Sequence, residues 1–493
     1  MLESKYTKSF SRVLLVRPPL TIERNESKSL AFPLGLGYLA AFLLKNGYDV
    51  RVLDCMAEGF YEEERLGKDF FTYGLRPGQI EAKVKSFDPD VVGVSCLFSM
   101  QSRNALEVCR IAKGCDKRIK TVLGGAHPST EPSRTLEHEA VDYVIIGEGE
   151  ETVLMLLKAL QGQADMSAID GLGFKRNGRA VVNPKTKYIK DLDSIPFPAR
   201  HLFPMDKYFS INRPHGVVTR FSPNTNIISS RGCPGRCTFC SIHTVWGREY
   251  RTRSAENCLA EIESLKKDYG IKEIQFEDDN LTLEKERSKK IFNGMIEKDL
   301  NVAWSTPNGV ALWALDEELL ELMKKSGCWS LALGIESADQ RVLKEVIKKP
   351  LRFKKVRPLI KKMRELKIKT AAFFVIGFPQ ETREEIKYTL DAGVHLPVDD
   401  VHYYFATPYP GTELYEYCKN AGLLKTEGFA DLKVSRVNIR RPDISDKELA
   451  SMVRKARVRF YLLNCIRHPG AYIPRIIARL LKEPKRFLKF LTG

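Results

Sequence analysis

The chain has 493 residues, 43% hydrophobic and 29% charged, which excludes a disordered or fibrous protein and implies two to four domains at about 100–200 residues each. Its formal charge is +17, and residues 451–493 hold eleven Lys or Arg against the single acid Glu483, so the excess is local. No run approaches the ~18 apolar residues of a membrane-spanning helix, no signal peptide precedes Arg12, and the eleven cysteines fit a reducing cytoplasm better than a disulfide scaffold.

From the N-terminus, short apolar runs at 13–16, 50–53, 91–94, 121–123 and 143–146 alternate with helical periodicity, as at 34–45 and 105–113. This pattern predicts a doubly wound α/β domain over residues 1–165, with five parallel strands and ligands at the strand C-termini. Residues 166–222 turn polar and Pro-punctuated and are expected to be a linker. A second alternation follows, with strands at 226–228, 273–276, 302–305, 330–334, 370–376 and 401–406 and helices at 256–267, 285–297 and 383–392. Six βα units over residues 223–423 predict an open, partial (βα)6 TIM-like barrel. Residues 424–493 are expected to form a basic helical appendage, with helices at 446–463 and 473–481.

The strongest chemical signal is Cys233-Pro-Gly-Arg-Cys237-Thr-Phe-Cys240, just after the first strand of the second alternation. Three thiolates on one loop suit an iron-sulfur cluster or zinc, and zinc would need a fourth ligand such as His243. The C-x3-C-x2-C spacing, with aromatic Phe239 before the last cysteine, resembles the defining motif of the radical S-adenosylmethionine (SAM) superfamily over residues 226–423. The resemblance implies that Cys233, Cys237 and Cys240 hold a [4Fe-4S] cluster whose open iron chelates SAM, with reduction yielding a 5'-deoxyadenosyl radical. It also implies that Glu277-Asp278-Asp279-Asn280 lies where relatives hold the SAM amino group, with Asp278 and Asp279 favoured; the alternative is a solvated helix start. Gly334-Ile335-Glu336-Ser337 resembles the segment near the SAM ribose and methionine, which singles out Glu336. Val375-Ile376-Gly377-Phe378-Pro379 resembles the segment near adenine, which singles out Gly377. Cys328 is expected to be a buried structural thiol.

The strand ends of the first domain carry Asp54-x-Met56-x-x-Gly59, Ser95-Cys96-Leu97 and Gly124-Gly125, which resemble three cobalamin-binding signatures. Asp54, Ser95, Leu97, Gly124 and Gly125 are the residues so implied, and Gly147, in Gly147-Glu148-Gly149-Glu150, extends the same rim. Met56 stands where some cobalamin proteins have the histidine that ligates cobalt, so a histidine-ligated cobalt is not expected. Glycines suit a bulky corrin because its close approach leaves no room for a Cβ. His127 is either a corrin contact or a packing residue. Tyr403, Tyr404 and Tyr409 either line a substrate cavity or belong to the core.

The basic tail interleaves Arg454, Arg457, Arg459, Arg475 and Arg479 with apolar residues. Such a surface binds anionic lipid, binds nucleic acid or covers the barrel as a solvated helix, and nucleic acid is the least favoured. Taken together, the chain resembles the cobalamin-dependent radical SAM enzymes over nearly its full length, most of which are methyltransferases. The implied function is methyl transfer to an unactivated carbon, with a [4Fe-4S] cluster, SAM and cobalamin as cofactors. The implied partners are an unidentified, lipid-like substrate and a reducing protein such as flavodoxin or ferredoxin, at a cytoplasmic location with or without peripheral membrane contact. The alternatives are a radical oxidative cyclase or rearranging enzyme, or a non-catalytic cluster- or lipid-binding sensor.

Overall fold

The computed structural model describes residues 10–24, 26–214, 219–426 and 432–482. It divides into two compact units, Met1–Cys233 with Ser241–Glu273, and Pro234–Cys240 with Ile274–Gly493. The sequence itself crosses between the units at the cysteine loop.

The first unit is built on a seven-stranded sheet. Its five expected strands, Arg12–Arg17, Asp49–Asp54, Val91–Ser95, Lys120–Gly124 and Tyr143–Ile145, are mutually parallel, with the second strand outside the first and the third to fifth following on the other side. Both faces are buried, which is why these strands read as continuous apolar runs. In the first strand Val13 and Leu15 enter one hydrophobic cluster while Leu14 and Val16 enter the other.

The expected linker is a correction. Leu172–Arg176 and Arg179–Val182 form a hairpin that extends this sheet antiparallel to Tyr143–Ile145. Asn177 and Gly178 turn the hairpin with φ of 52° and 75°, the pattern that Asn-Gly favours in a two-residue loop. The segment also gives the helix Met205–Ile211, whose Tyr208 packs into the first cluster. A three-stranded antiparallel sheet, Leu20–Glu23, Phe70–Tyr73 and Glu63–Leu66, is a further addition to the expected fold.

The second unit carries the strands Glu273–Phe276, Ala303–Thr306, Cys328–Glu336, Lys369–Ile376 and Asp400–Phe405, adjacent in that order and parallel through the last four. The other expected barrel strand forms as Asn224–Ile227 and groups with the first unit. Helices Lys285–Glu297, Glu317–Lys325, Val356–Glu365 and Arg383–His395 intervene. Their starts are set locally: Asp316 accepts the Leu319 N–H, and Thr382 with Glu385 closes a capping box. Asp446–Arg467 packs on Arg383–His395 and the last strand, and Pro469–Lys482 packs on it in turn. Tyr472 anchors that last helix by donating to the carbonyls of Val398 and Asp399 at 3.2 and 3.1 Å. Tail residues 483–493 lie outside the described residues. Among the described residues, no helix is long and apolar enough to cross a membrane.

Candidate functional site

At the C-terminal ends of the first sheet, Ser95, Gly124, Gly125 and Gly147 are half-buried, and Leu97 is 49% exposed beside the exposed Phe98. Gly125 has φ 114°, and a Cβ there would lie 2.5 Å from the Cys96 carbonyl oxygen, so only glycine lets the chain pass. At Gly124 a Cβ would meet only Ile145, at 3.7 Å, which leaves the strand end clear for a close approach. His127 stands on this rim with Nδ1 3.1 Å from the Ser99 hydroxyl. Burial, then Arg134, lowers its pKa to about 4, so its imidazole is neutral at pH 7.

Asp54 is fully buried. Its carboxylate accepts the Ala57 N–H at 2.9 Å, pairs with Arg17 at 3.2 Å and takes the Tyr208 hydroxyl. Burial alone would lower the Arg17 pKa, and Asp54 together with Tyr208 and Tyr73 more than offsets it. Met56 is 1% exposed and belongs to the hydrophobic cluster, so its thioether is committed to packing. Arg17 and Tyr208 were not singled out from sequence because nothing local ties them to Asp54.

The segment 233–240 has little regular structure. Cys233, Cys237 and Cys240 are half-buried. Within the second unit the loop is pinned at Thr238, whose N–H donates to the Ile347 carbonyl at 3.0 Å, whose hydroxyl donates to Val346 at 2.8 Å, and whose own carbonyl accepts the Leu414 N–H at 2.9 Å. Phe239 meets Phe378 with ring centroids 5.9 Å apart.

Lys349 is a residue the sequence reading missed. Its ammonium lies 2.9 Å from Glu336, and although burial alone would lower its pKa, Glu336 and then Cys237 and Cys240 hold it above the ordinary value. A buried cation beside two of the three thiols favours their thiolate forms. Glu336 has φ 68°, a left-handed conformation costly for a non-glycine residue, at an irregularity in strand pairing after Gly334. Gly377 has φ 84° and donates its N–H to Glu381 at 2.6 Å. Burial pushes the Glu381 carboxyl up to about 7.

Asp278 is fully buried, and burial, then Asp278 and Glu277, pushes the Asp279 carboxyl up to about 7. Gln275 Nε2, Thr282 Oγ1, Ser305 Oγ and Thr306 Oγ1 are buried with no hydrogen-bond partner among the described residues. All four lie on, or just after, the two strands that flank this acidic turn, and buried polar groups of this kind require a partner. Tyr403 donates to the Leu390 carbonyl at 3.1 Å and stacks on Phe374, which makes it core. Cys328 is likewise a buried structural thiol, pushed far up by burial.

Among the described residues no three His, Cys, Asp or Glu side chains gather around a single metal-ion point. A four-iron cluster instead distributes its cysteines over separate irons. A three-thiol loop at the head of a parallel α/β sheet, on the same chain as a glycine-lined doubly wound sheet, defines a cluster-using enzyme with a domain for a large cofactor.

Comparison with known proteins agrees. Residues 21–157 match the B12 binding domain and residues 227–393 the radical SAM superfamily. The cytidylyl-2-hydroxyethylphosphonate methyltransferase of Streptomyces wedmorensis is 35% identical over 450 residues, covering 85% of this chain and 84% of that protein. An uncharacterized methyltransferase of Pyrococcus horikoshii is 33% identical over 479 residues, covering 96% and 98%. The solved structure of the cobalamin-dependent radical SAM enzyme OxsB, with aqua-cobalamin and SAM bound, shares the fold at a TM-score of 0.71 and 17% identity, covering 97% of this chain and 70% of that one. The chain belongs to the cobalamin-dependent radical SAM enzymes. The cofactors of that class are a [4Fe-4S] cluster, SAM and cobalamin, and the residues described above fit them: three closely spaced thiols for the cluster, buried unpartnered polar atoms for SAM, and a glycine-lined rim for cobalamin.

Proposed function

We propose that the chain is a methyltransferase that places a methyl group on an unactivated carbon. The observation that carries this reading is one chain presenting both platforms, the pinned thiol loop beside Lys349 and the glycine-lined rim. When bound, the cluster with SAM supplies a hydrogen-abstracting radical on one-electron reduction, and cobalamin supplies the methyl group.

In this reading Cys233, Cys237 and Cys240 hold three irons, and Phe239 packs against the cluster. Asp278 and Asp279 receive the SAM ammonium, Glu336 lies toward the ribose and methionine, and Gly377 lies toward adenine. Ser95, Leu97, Gly124, Gly125 and Gly147 form the corrin and nucleotide-tail surface, while Asp54 acts through the turn it caps. A flavodoxin- or ferredoxin-type protein provides the electron. The cytidylylated hydroxyethylphosphonate in the name of the Streptomyces wedmorensis relative is the first substrate class to try.

The test is anaerobic reconstitution with iron, sulfide and hydroxocobalamin, followed by SAM and reductant. Corrin absorbance with both 5'-deoxyadenosine and S-adenosylhomocysteine supports methyl transfer, and Cys237→Ala should abolish 5'-deoxyadenosine while retaining corrin. Native protein that makes 5'-deoxyadenosine without corrin or S-adenosylhomocysteine overturns the methyltransferase reading.

A specific observation also favours contact with an anionic membrane surface. Leu462, Ile466, Ile473, Ile477 and Leu481 are exposed on the last two helices, the first two and the last three each at i, i+4 spacing. They lie in the most basic stretch of the sequence, and an exposed apolar row amid Lys and Arg matches anionic lipid in both charge and chemistry.

A further inference from the structure

Gly147-Glu148-Gly149-Glu150 follows the fifth strand of the first sheet, where a cofactor rim is expected, yet both carboxylates are buried, Glu148 at 2% and Glu150 at 5% exposure. They meet two buried arginines from far along the chain. Ser230–Arg231 pairs antiparallel with Arg251–Thr252, which sets Arg231 directly opposite Arg251. Like charges facing each other across a ladder repel. Glu148 Oε1 answers both, accepting from Arg231 at 3.2 Å and from Arg251 at 2.7 Å, while Glu150 accepts from Arg231 at 2.7 Å. Two carboxylates thus balance two guanidiniums.

Further contacts hold this network in place, although Arg251 Nε is buried with no hydrogen-bond partner among the described residues. Glu148 Oε2 accepts the Ile189 N–H at 2.9 Å, and Arg251 donates to the carbonyls of Ile189 and Trp246, each at 2.7 Å. Arg231 lies 4.8 Å from the Trp246 ring centroid and Arg251 5.2 Å from that of Tyr188. Burial alone would raise the Glu150 carboxyl, but Arg231, with a backbone hydrogen bond and Lys185, outweighs it and holds it below the ordinary value. This two-strand pair is the stem of the cysteine loop. Its next residue, Gly232, has φ 89°, and a Cβ there would lie 2.0 Å from the Glu249 carbonyl oxygen, so the chain enters the loop on one fixed path. Cys233 follows.

We propose that Glu148 and Glu150 are positioning residues for the cysteine loop: by neutralising the two arginines of its stem they fix where Cys233 presents its thiolate. The carboxylates act through Arg231 and Arg251 and touch neither the cluster nor the corrin. Removing one leaves a buried guanidinium uncompensated, which the stem relieves by moving. The proposal rests on the reading of Cys233, Cys237 and Cys240 as cluster ligands.

The experiment compares native full-length protein with Glu148→Gln, both reconstituted with iron, sulfide and hydroxocobalamin, by iron content, electron paramagnetic resonance of the reduced cluster and corrin absorbance. The expected result for Glu148→Gln is a shifted cluster spectrum and about a twofold or greater loss of iron, because charges and hydrogen bonds around a cluster set its properties. Corrin should stay at the native level, and Glu148→Asp, which keeps the charge, should return the spectrum toward the native one. Lost corrin with an unchanged cluster overturns the proposal in favour of a rim contact, and an unchanged cluster with unchanged corrin overturns it outright. If circular dichroism shows Glu148→Gln unfolded, Glu150→Gln, which removes only one of the two partners of Arg231, is read by the same criteria. Native protein that assembles no cluster counts against the cofactor reading itself.

Discussion

Asp279 shows how one residue's surroundings set its chemistry. Burial and two neighbouring carboxylates hold its pKa near 7, so in SAM-free protein it is largely protonated below neutrality. Because the folded pKa lies above the unfolded one, the fold loses stability as pH rises from about 4 to about 7, where the unfolded chain has already released its proton. An ammonium partner needs the ionised form, so SAM binding should release a proton. Affinity should then fall by up to about tenfold for each pH unit below about 7. Calorimetric titration in buffers of different ionisation enthalpy would show this, and Asp279→Asn should flatten the profile. Native affinity that does not vary with pH rules the assignment out. The acidic turn was legible because it follows an apolar run, and the three thiols because their spacing is local. Lys349 and the Arg17 and Tyr208 partners of Asp54 were not legible, since Tyr208 stands 154 positions away from the carboxylate it serves.

At the scale of elements, local chemistry sets the turns and long-range packing decides what they join. Asn177-Gly178 is a hairpin signal in plain view, but the polar residues around it read as a linker because edge strands carry little apolar pattern. A Cβ on Gly178 would meet nothing within 4 Å, so its φ of 75° is the sole obstacle to substitution. Gly178→Val should therefore cost about 1–2 kcal/mol of stability, whereas Gly178→Asn should cost much less. Urea denaturation of the full chain measures both, and equal midpoints for native and Val variants would refute the turn assignment. The stem of the cysteine loop was invisible from sequence for a different reason. Two-residue strands have no periodicity, and Arg231 and Arg251 acquire their meaning only from Glu148.

At the scale of the whole molecule, the basic, apolar C-terminal helices carry the membrane reading. Full-length reconstituted protein should sediment with phosphatidylcholine vesicles containing phosphatidylglycerol, should remain free with phosphatidylcholine alone, and should dissociate as salt is raised. Ile466→Glu combined with Ile473→Glu should weaken sedimentation by about fivefold or more, since the apolar row supplies the inserted area. Native protein that stays in the supernatant removes the membrane from its partners, and self-association lost in the same variant would assign the surface to a second copy. The sequence by itself determined the two α/β alternations, the thiol loop and the glycine signatures, because hydrophobic period, ligand spacing and turn chemistry act over a few residues. Only the tertiary structure decided that the linker completes the first sheet, that Met56 packs in the core, and that Glu148 and Glu150 turn inward to the stem. Those outcomes depend on which distant residue fills each neighbouring volume and balances each buried charge.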